Sequence, residues 1–175
     1  MQDTSLIWKI VMVLQIIGLI LGLIGFGAPN HVEGEGVYDE YYIGLWKTCF
    51  KDCDDTHDIL DGLRKDSTWL DASRTMMGIA CGAELLVIIL CSLAALTTLT
   101  QFMGLLTAAV AFLSSIIGLI GATVFQVEAK NLFKTLTRDS LDSEPGWAFF
   151  LFLTAQLAYI GCAVLHICDS RYRSR

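Results

Sequence analysis

Four long apolar blocks divide the chain. Leu6 to Ala28 is interrupted only by Trp8, Lys9 and Gln15, and Thr75 to Leu99 only by Glu84 and small hydroxyls. Phe102 to Val127 carries no charge, and Trp147 to Cys168 has Gln156 and His166 as its strongly polar residues. A helix needs about 20 apolar residues, rising 1.5 Å each, to cross a hydrocarbon core. Each block has that length, and none shows the polar and apolar faces of a helix lying on a soluble core. The pattern predicts four membrane-spanning helices at about 6–28, 75–99, 102–127 and 147–168, with loops at 29–73 and 128–146. One domain, mainly α and membrane-embedded, accounts for all 175 residues, and a soluble enzyme is excluded.

The first loop has a pattern of its own. Val37-Tyr38 and Tyr41-Tyr42-Ile43 are β-branched and aromatic, and Leu45 to Phe50 alternates as a strand does. Cys49 and Cys53 enclose Phe50-Lys51-Asp52, which suits a three-residue hairpin loop. Opposed strand residues stand at about the Cα separation that a disulfide prefers. The two thiols are therefore expected to form a bridge that pins one hairpin, worth roughly 2 kcal/mol in closure entropy. No C-x-x-C or H-x-x-x-H spacing accompanies them, so neither a zinc site nor a redox pair is expected. The acidic run from Asp54 to Asp61 lacks the glycine that a calcium loop needs at its sixth position. It reads as a short helix capped by Asp54 or Asp55, with Ile59, Leu60 and Leu63 as its apolar stripe.

Composition sharpens this picture only once it is located. The chain is 54% apolar and 17% charged, and the apolar share belongs to the four blocks. The net charge of −6 is uneven: loop 29–73 holds eleven acids against four bases, whereas the tail after Cys168 has three arginines and one aspartate. Basic tail residues favour the cytoplasmic side, and closely spaced loop cysteines favour an oxidising compartment. Both termini are thus expected in the cytoplasm and both loops outside. The first block is too long for a signal-peptide core, so it is expected to act as its own insertion signal. An acidic outer face attracts cations or a basic partner surface over about 8 Å at physiological salt. It gives no footing for nucleic acid.

The residues then match a family. Gly44-Leu45-Trp46 followed by Cys49 and Cys53, in the first outer loop of a four-span protein, resembles the W-GLW-C-C signature of the claudin superfamily. That group includes claudins, peripheral myelin and epithelial membrane proteins, the lens fibre membrane protein and stargazin-like channel subunits. Asp71-Ala72-Ser73-Arg74 resembles the family's A-x-R segment. Two departures stand out. Pro29-Asn30 is followed by His31 where the signature opens on an aromatic, and the cysteines are spaced as in the lens fibre protein rather than a typical claudin. The tail also ends without a hydrophobic residue suited to a PDZ groove. The resemblance implies a left-handed four-helix bundle carrying a small antiparallel extracellular β-sheet. It also implies that Gly44, Leu45, Trp46 and Arg74 hold the sheet on the bundle or contact a partner.

Within the membrane, Glu84 and Gln156 fall at similar depth on the second and fourth spans. Such a carboxyl is a functional candidate by default. It either shares an interhelical hydrogen bond with Gln156, carrying its proton, or meets a partner's helix. Gly18 and Gly22, and Gly78 and Gly82, have GxxxG spacing and are expected to pack within the bundle. Cys168 beside the basic tail is a lipidation candidate.

No catalytic constellation, metal cluster or phosphate loop is present in the sequence, so no enzyme activity, cofactor or small-molecule substrate is expected. Besides the lipid bilayer, two kinds of partner follow from the resemblance. In one, the protein meets itself or related proteins in cis and trans at plasma-membrane cell junctions. There it would form a barrier or cation-favouring pore lined by Asp52, Asp54, Asp55 and Asp58. In the other, it packs its third and fourth spans on an ion channel or receptor as an auxiliary subunit, the third carrying Gly104, Gly118 and Gly121, while its acidic loop touches the partner's basic surface.

Overall fold

The computed structural model describes residues 6–35, 40–49, 53–96, 100–137 and 143–173. Four long helices dominate: α1 (Leu6–Gly27), α3 (Thr68–Leu96), α4 (Thr100–Thr137) and α5 (Trp147–Arg173), with the short α2 (Thr56–Gly62) between strands and bundle. All four long helices are long and apolar enough to cross a membrane. In the bundle α1 packs on α5, α5 on α4 and α4 on α3, and a lighter α1–α3 contact closes the ring.

Two helices outrun the apolar blocks. α3 begins at Thr68 rather than near residue 75, because Asp66 accepts from the Thr68 N–H and Trp69 and Leu70 pack inward. α4 continues past Val127 to Thr137, so much of the expected second loop is helix. Its last turns keep an apolar face, Ala129, Leu132 and Phe133, which is buried in the core beneath the sheet. At 1.5 Å per residue α4 is about 57 Å long, well beyond a ~30 Å hydrocarbon core. Its excess is a platform rather than a span.

The sheet has five strands in the order β4-β3-β2-β1-β5, all neighbours antiparallel. They are β1 (Val32–Glu35), β2 (Glu40–Ile43), β3 (Lys47–Cys49), β4 (Cys53–Asp55) and β5 (Glu144–Pro145). β1 and β5 were not evident from the pattern; β5 is two residues long and joins only through β1. Leu45 and Trp46, expected in a strand, instead form the β2–β3 turn, closed by Gly44 N–H donating to Lys47 O at 2.9 Å. Val37 and Tyr38 lie outside the described residues, as does the expected three-residue loop at 50–52.

A continuous core joins sheet to bundle. Val32, Ile43 and Leu45 from the sheet side meet Leu60, Leu70, Met77, Phe125, Phe133 and Phe152 from the helices, all with essentially no exposure. Burial of this order is worth about 25 cal/mol per Å² of apolar surface, so the sheet is fixed to the helices by area more than by any single bond.

Candidate functional site

The signature residues converge where β2, β3, α2 and α3 meet. Gly44 has no room for a side chain: a Cβ there would lie 2.2 Å from the Pro29 carbonyl oxygen. That approach lets the β2–β3 turn lie against the end of α1. Leu45 is fully buried, and Trp46 is 38% exposed. The indole N–H donates to Phe26 O at 3.0 Å, and the ring meets Phe26 edge-on at 5.4 Å between centroids. Trp46 thus ties the turn to the last turn of α1 while its outer edge stays available to the interface layer.

Arg74 completes the joint from α3. Its Nε donates to Leu45 O at 2.9 Å, its guanidinium lies over the Trp46 ring at 4.8 Å, and one terminal nitrogen reaches Asp55 Oδ1 at 3.4 Å. Asp71 is a more distant partner at 4.0 Å. A planar guanidinium serves a carbonyl, a carboxylate and a ring face together in a way a lysine does not.

Two threonines that the sequence reading passed over finish the site. Thr56 donates to Gly44 O at 2.9 Å and stands 3.0 Å from the Thr48 hydroxyl, both side chains buried. Thr56 N–H also donates to Trp46 O. Their signal was faint, since a threonine after two aspartates reads first as part of a cap.

The Cys49–Cys53 bridge is formed, with Cα atoms 4.1 Å apart and the two cysteines paired in register across β3 and β4. β4 is the outermost strand on its side, and Cys53, Asp54 and Asp55 are all exposed. The four acidic candidates separate here. Asp55 caps α2 by accepting from His57 N–H at 2.8 Å and also faces Arg74. Asp54 on β4 and Asp58 in the first turn of α2 are exposed and make no hydrogen bond or ion pair among the described residues. Asp61 lies 3.4 Å from His57. Asp52 is outside the described residues. The expected stripe of α2 is narrower than its sequence suggests: Leu60 is buried, whereas Leu63 is 40% exposed where the helix ends.

Inside the bundle, Gln156 Nε2 donates to Glu84 Oε1 at 2.7 Å, and both side chains are fully buried. The flanking helices make room for this pair with glycines. A Cβ on Gly22 of α1 would lie 3.2 Å from Glu84 Oε2, and one on Gly118 of α4 would lie 2.8 Å from Gln156 Oε1. All four long helices therefore meet at this bridge. Gly18 likewise receives Tyr159, and Gly25 lies against the α5 backbone, so Gly18, Gly22 and Gly25 of α1 pack within the bundle. The pair on α3 divides: Gly78 packs within the bundle against Phe26 of α1, but a Cβ on Gly82 would meet nothing within 4 Å.

A second polar set, at the other end of the bundle, was not anticipated. Gln15 Nε2 lies 3.1 Å from His166 Nε2, Cys91 Sγ lies 3.3 Å from the same nitrogen, and Tyr159 O–H donates to Gln15 O. Cys81, Cys91 and Cys162 are buried free thiols, and Cys168 is exposed near the end of α5. Among the described residues, no group of three His, Cys, Asp or Glu side chains forms a metal site.

A sequence comparison with curated proteins finds no match. The model of the PMP-22/EMP/MP20/Claudin family matches residues 4–165, nearly the whole chain, and the protein belongs to that family.

Proposed function

We propose that the protein is a cell-contact component of the plasma membrane. The bundle anchors an acidic sheet outside the cell, and sheets associate in cis and trans between neighbouring cells. In the space they enclose, the Asp54 and Asp58 carboxylates favour cations over anions. Both termini then lie in the cytoplasm. The observation that carries this reading is the division of labour among the acids. Asp55 is committed to the α2 cap and Arg74, whereas Asp54 and Asp58 project outward from the outermost strand and the helix beside it. Such fixed charges raise local cation concentration within a Debye length.

The alternative, an auxiliary subunit packed on a channel, loses part of one support. Gly118 and Gly121 of α4 face Gln156, Ala80, Met76 and Met77 inside this protein's own bundle, so they offer no surface to another helix, whereas a Cβ on Gly104 would meet nothing within 4 Å.

Expression in epithelial cells lacking their own junction strands tests the proposal. Enrichment at cell contacts, with a sodium-over-chloride preference that falls in the double variant Asp54→Asn/Asp58→Asn, is the expected result. Uniform surface distribution, or stoichiometric recovery with a channel from mild detergent, would overturn it.

A further inference from the structure

His31 stands where three segments are tied together. Its backbone N–H donates to Ile43 O of β2 at 3.1 Å, and its carbonyl accepts from Gly146 N–H, between β5 and α5, at 2.8 Å. The next residue starts β1, and α1 ends four residues earlier. The imidazole points into the joint between sheet and bundle, fully buried, with its ring 5.2 Å from that of Phe125 on α4. Neither ring nitrogen has a hydrogen-bond partner of good geometry among the described residues, although the Ala28 carbonyl is near enough to act on a charged ring.

Among the described residues, no carboxylate is placed to receive a charged ring. Among the described side chains, the titratable and charged groups on the parts of the surrounding elements nearest the sheet include Glu33 in β1, Tyr41 and Tyr42 in β2, Glu144 in β5, Glu128, Lys130 and Lys134 on α4, and Asp71 and Arg74 on α3. None makes a hydrogen bond or ion pair with the imidazole, and Glu33 accepts from Asn30 Nδ2 instead. A buried cation without a counter-charge is costly, so this pocket accepts the neutral ring and rejects the protonated one.

We propose that His31 is an acid-sensitive latch: the sheet stays docked on the bundle while the ring is neutral, and taking up a proton releases the sheet. Burial lowers its pKa from the ordinary 6.5 to about 4, with the nearby Ala28 carbonyl offsetting part of the effect. Between those two values the opened joint binds more protons than the closed one. Docking is therefore strongest above pH 6.5 and weakens as the pH falls toward 4. Over that interval the opening equilibrium rises roughly 100-fold. The latch concerns how the sheet is held, and it stands whether or not the sheet meets a neighbouring cell.

The test uses the full chain in lipid nanodiscs. Hydrogen exchange, corrected for the pH dependence of the chemical step, is followed in segments 30–34, 41–45 and 144–148. Protection in these segments is expected to fall roughly 100-fold between pH 7 and pH 4, while the centres of the long helices keep theirs. His31→Phe, which restores an aromatic at this position, and His31→Gln, which keeps a polar side chain without the titration, are both expected to abolish the fall. Direct titration of the imidazole by NMR in the unmutated protein is expected to give a pKa near 4. A value near 6.5, unchanged protection at pH 4, or the same acid response in both variants would overturn the latch.

Discussion

The guanidinium of Arg74 lies 4.8 Å above the ring of Trp46, and its Nε donates to the carbonyl of the residue just before that tryptophan. One side chain on α3 thus secures both the ring and the backbone of the β2–β3 turn. Arg74→Lys keeps the charge but loses the planar fork and its stacking. It is expected to cost about 1–2 kcal/mol of docking stability, from one charge-assisted hydrogen bond and part of the cation–π contact. Thermal unfolding in detergent checks this, and an unchanged midpoint would mean that net charge alone matters there.

Arg64 has a φ of 54°, the one positive value on a non-glycine residue among those described. It sits just past the C-cap of α2, with Arg64 N–H donating to Asp61 O and Lys65 N–H to Leu60 O. That is a left-handed helix terminus, a position where glycine is preferred. Arg64→Gly is expected to stabilise the protein by up to about 1 kcal/mol. Slower hydrogen exchange in residues 56–63 would show it, because α2 gains most.

The bundle was legible because every span carries a long apolar run with few polar interruptions, and the hairpin because the cysteine spacing matches a strand pair. Helix extensions were not. Residues 128–137 include Glu128, Lys130 and Lys134, which end an apolar block, yet Ala129, Leu132 and Phe133 fall at helical spacing and bury under the sheet. Hydropathy reports where lipid ends; it does not report where a helix ends. β1 and β5 escaped notice for a related reason. Val32-Glu33-Gly34-Glu35 has little strand propensity, and it becomes a strand because β2 and β5 flank it and Gly34 lies against Phe133. The roles of Trp46 and Arg74 rested on the motif, whereas those of Thr48 and Thr56 needed the fold.

The Glu84–Gln156 bridge leads to a paired test. Glu84→Ala and Gln156→Leu are each expected to destabilise the bundle by about 1–2 kcal/mol, with a coupling in the double variant showing that they act as one unit. Glu84→Gln preserves a donor and acceptor and is expected to be far milder. Gly118→Ala should weaken the same bridge from α4, because its Cβ would crowd the Gln156 amide. Additive losses in the double variant would separate the two residues.

Neighbouring aspartates on β4 give the clearest separation of structure from function. Asp55 caps α2 and faces Arg74, so Asp55→Ala removes a cap and a counter-charge together. Loss of the cap alone is expected to cost about 1 kcal/mol. Asp55→Asn keeps an acceptor for the His57 N–H and should recover much of that. Asp54 is exposed on the outermost strand, opposite Thr48 in register, with no described partner for its carboxylate. Asp54→Asn should therefore leave stability within about 0.5 kcal/mol while lowering any cation preference at the cell contact. Unfolding midpoints and ion selectivity measured on the same variants decide the matter. If Asp55→Asn alters selectivity more than Asp54→Asn does, the functional face lies on the Arg74 side of β4.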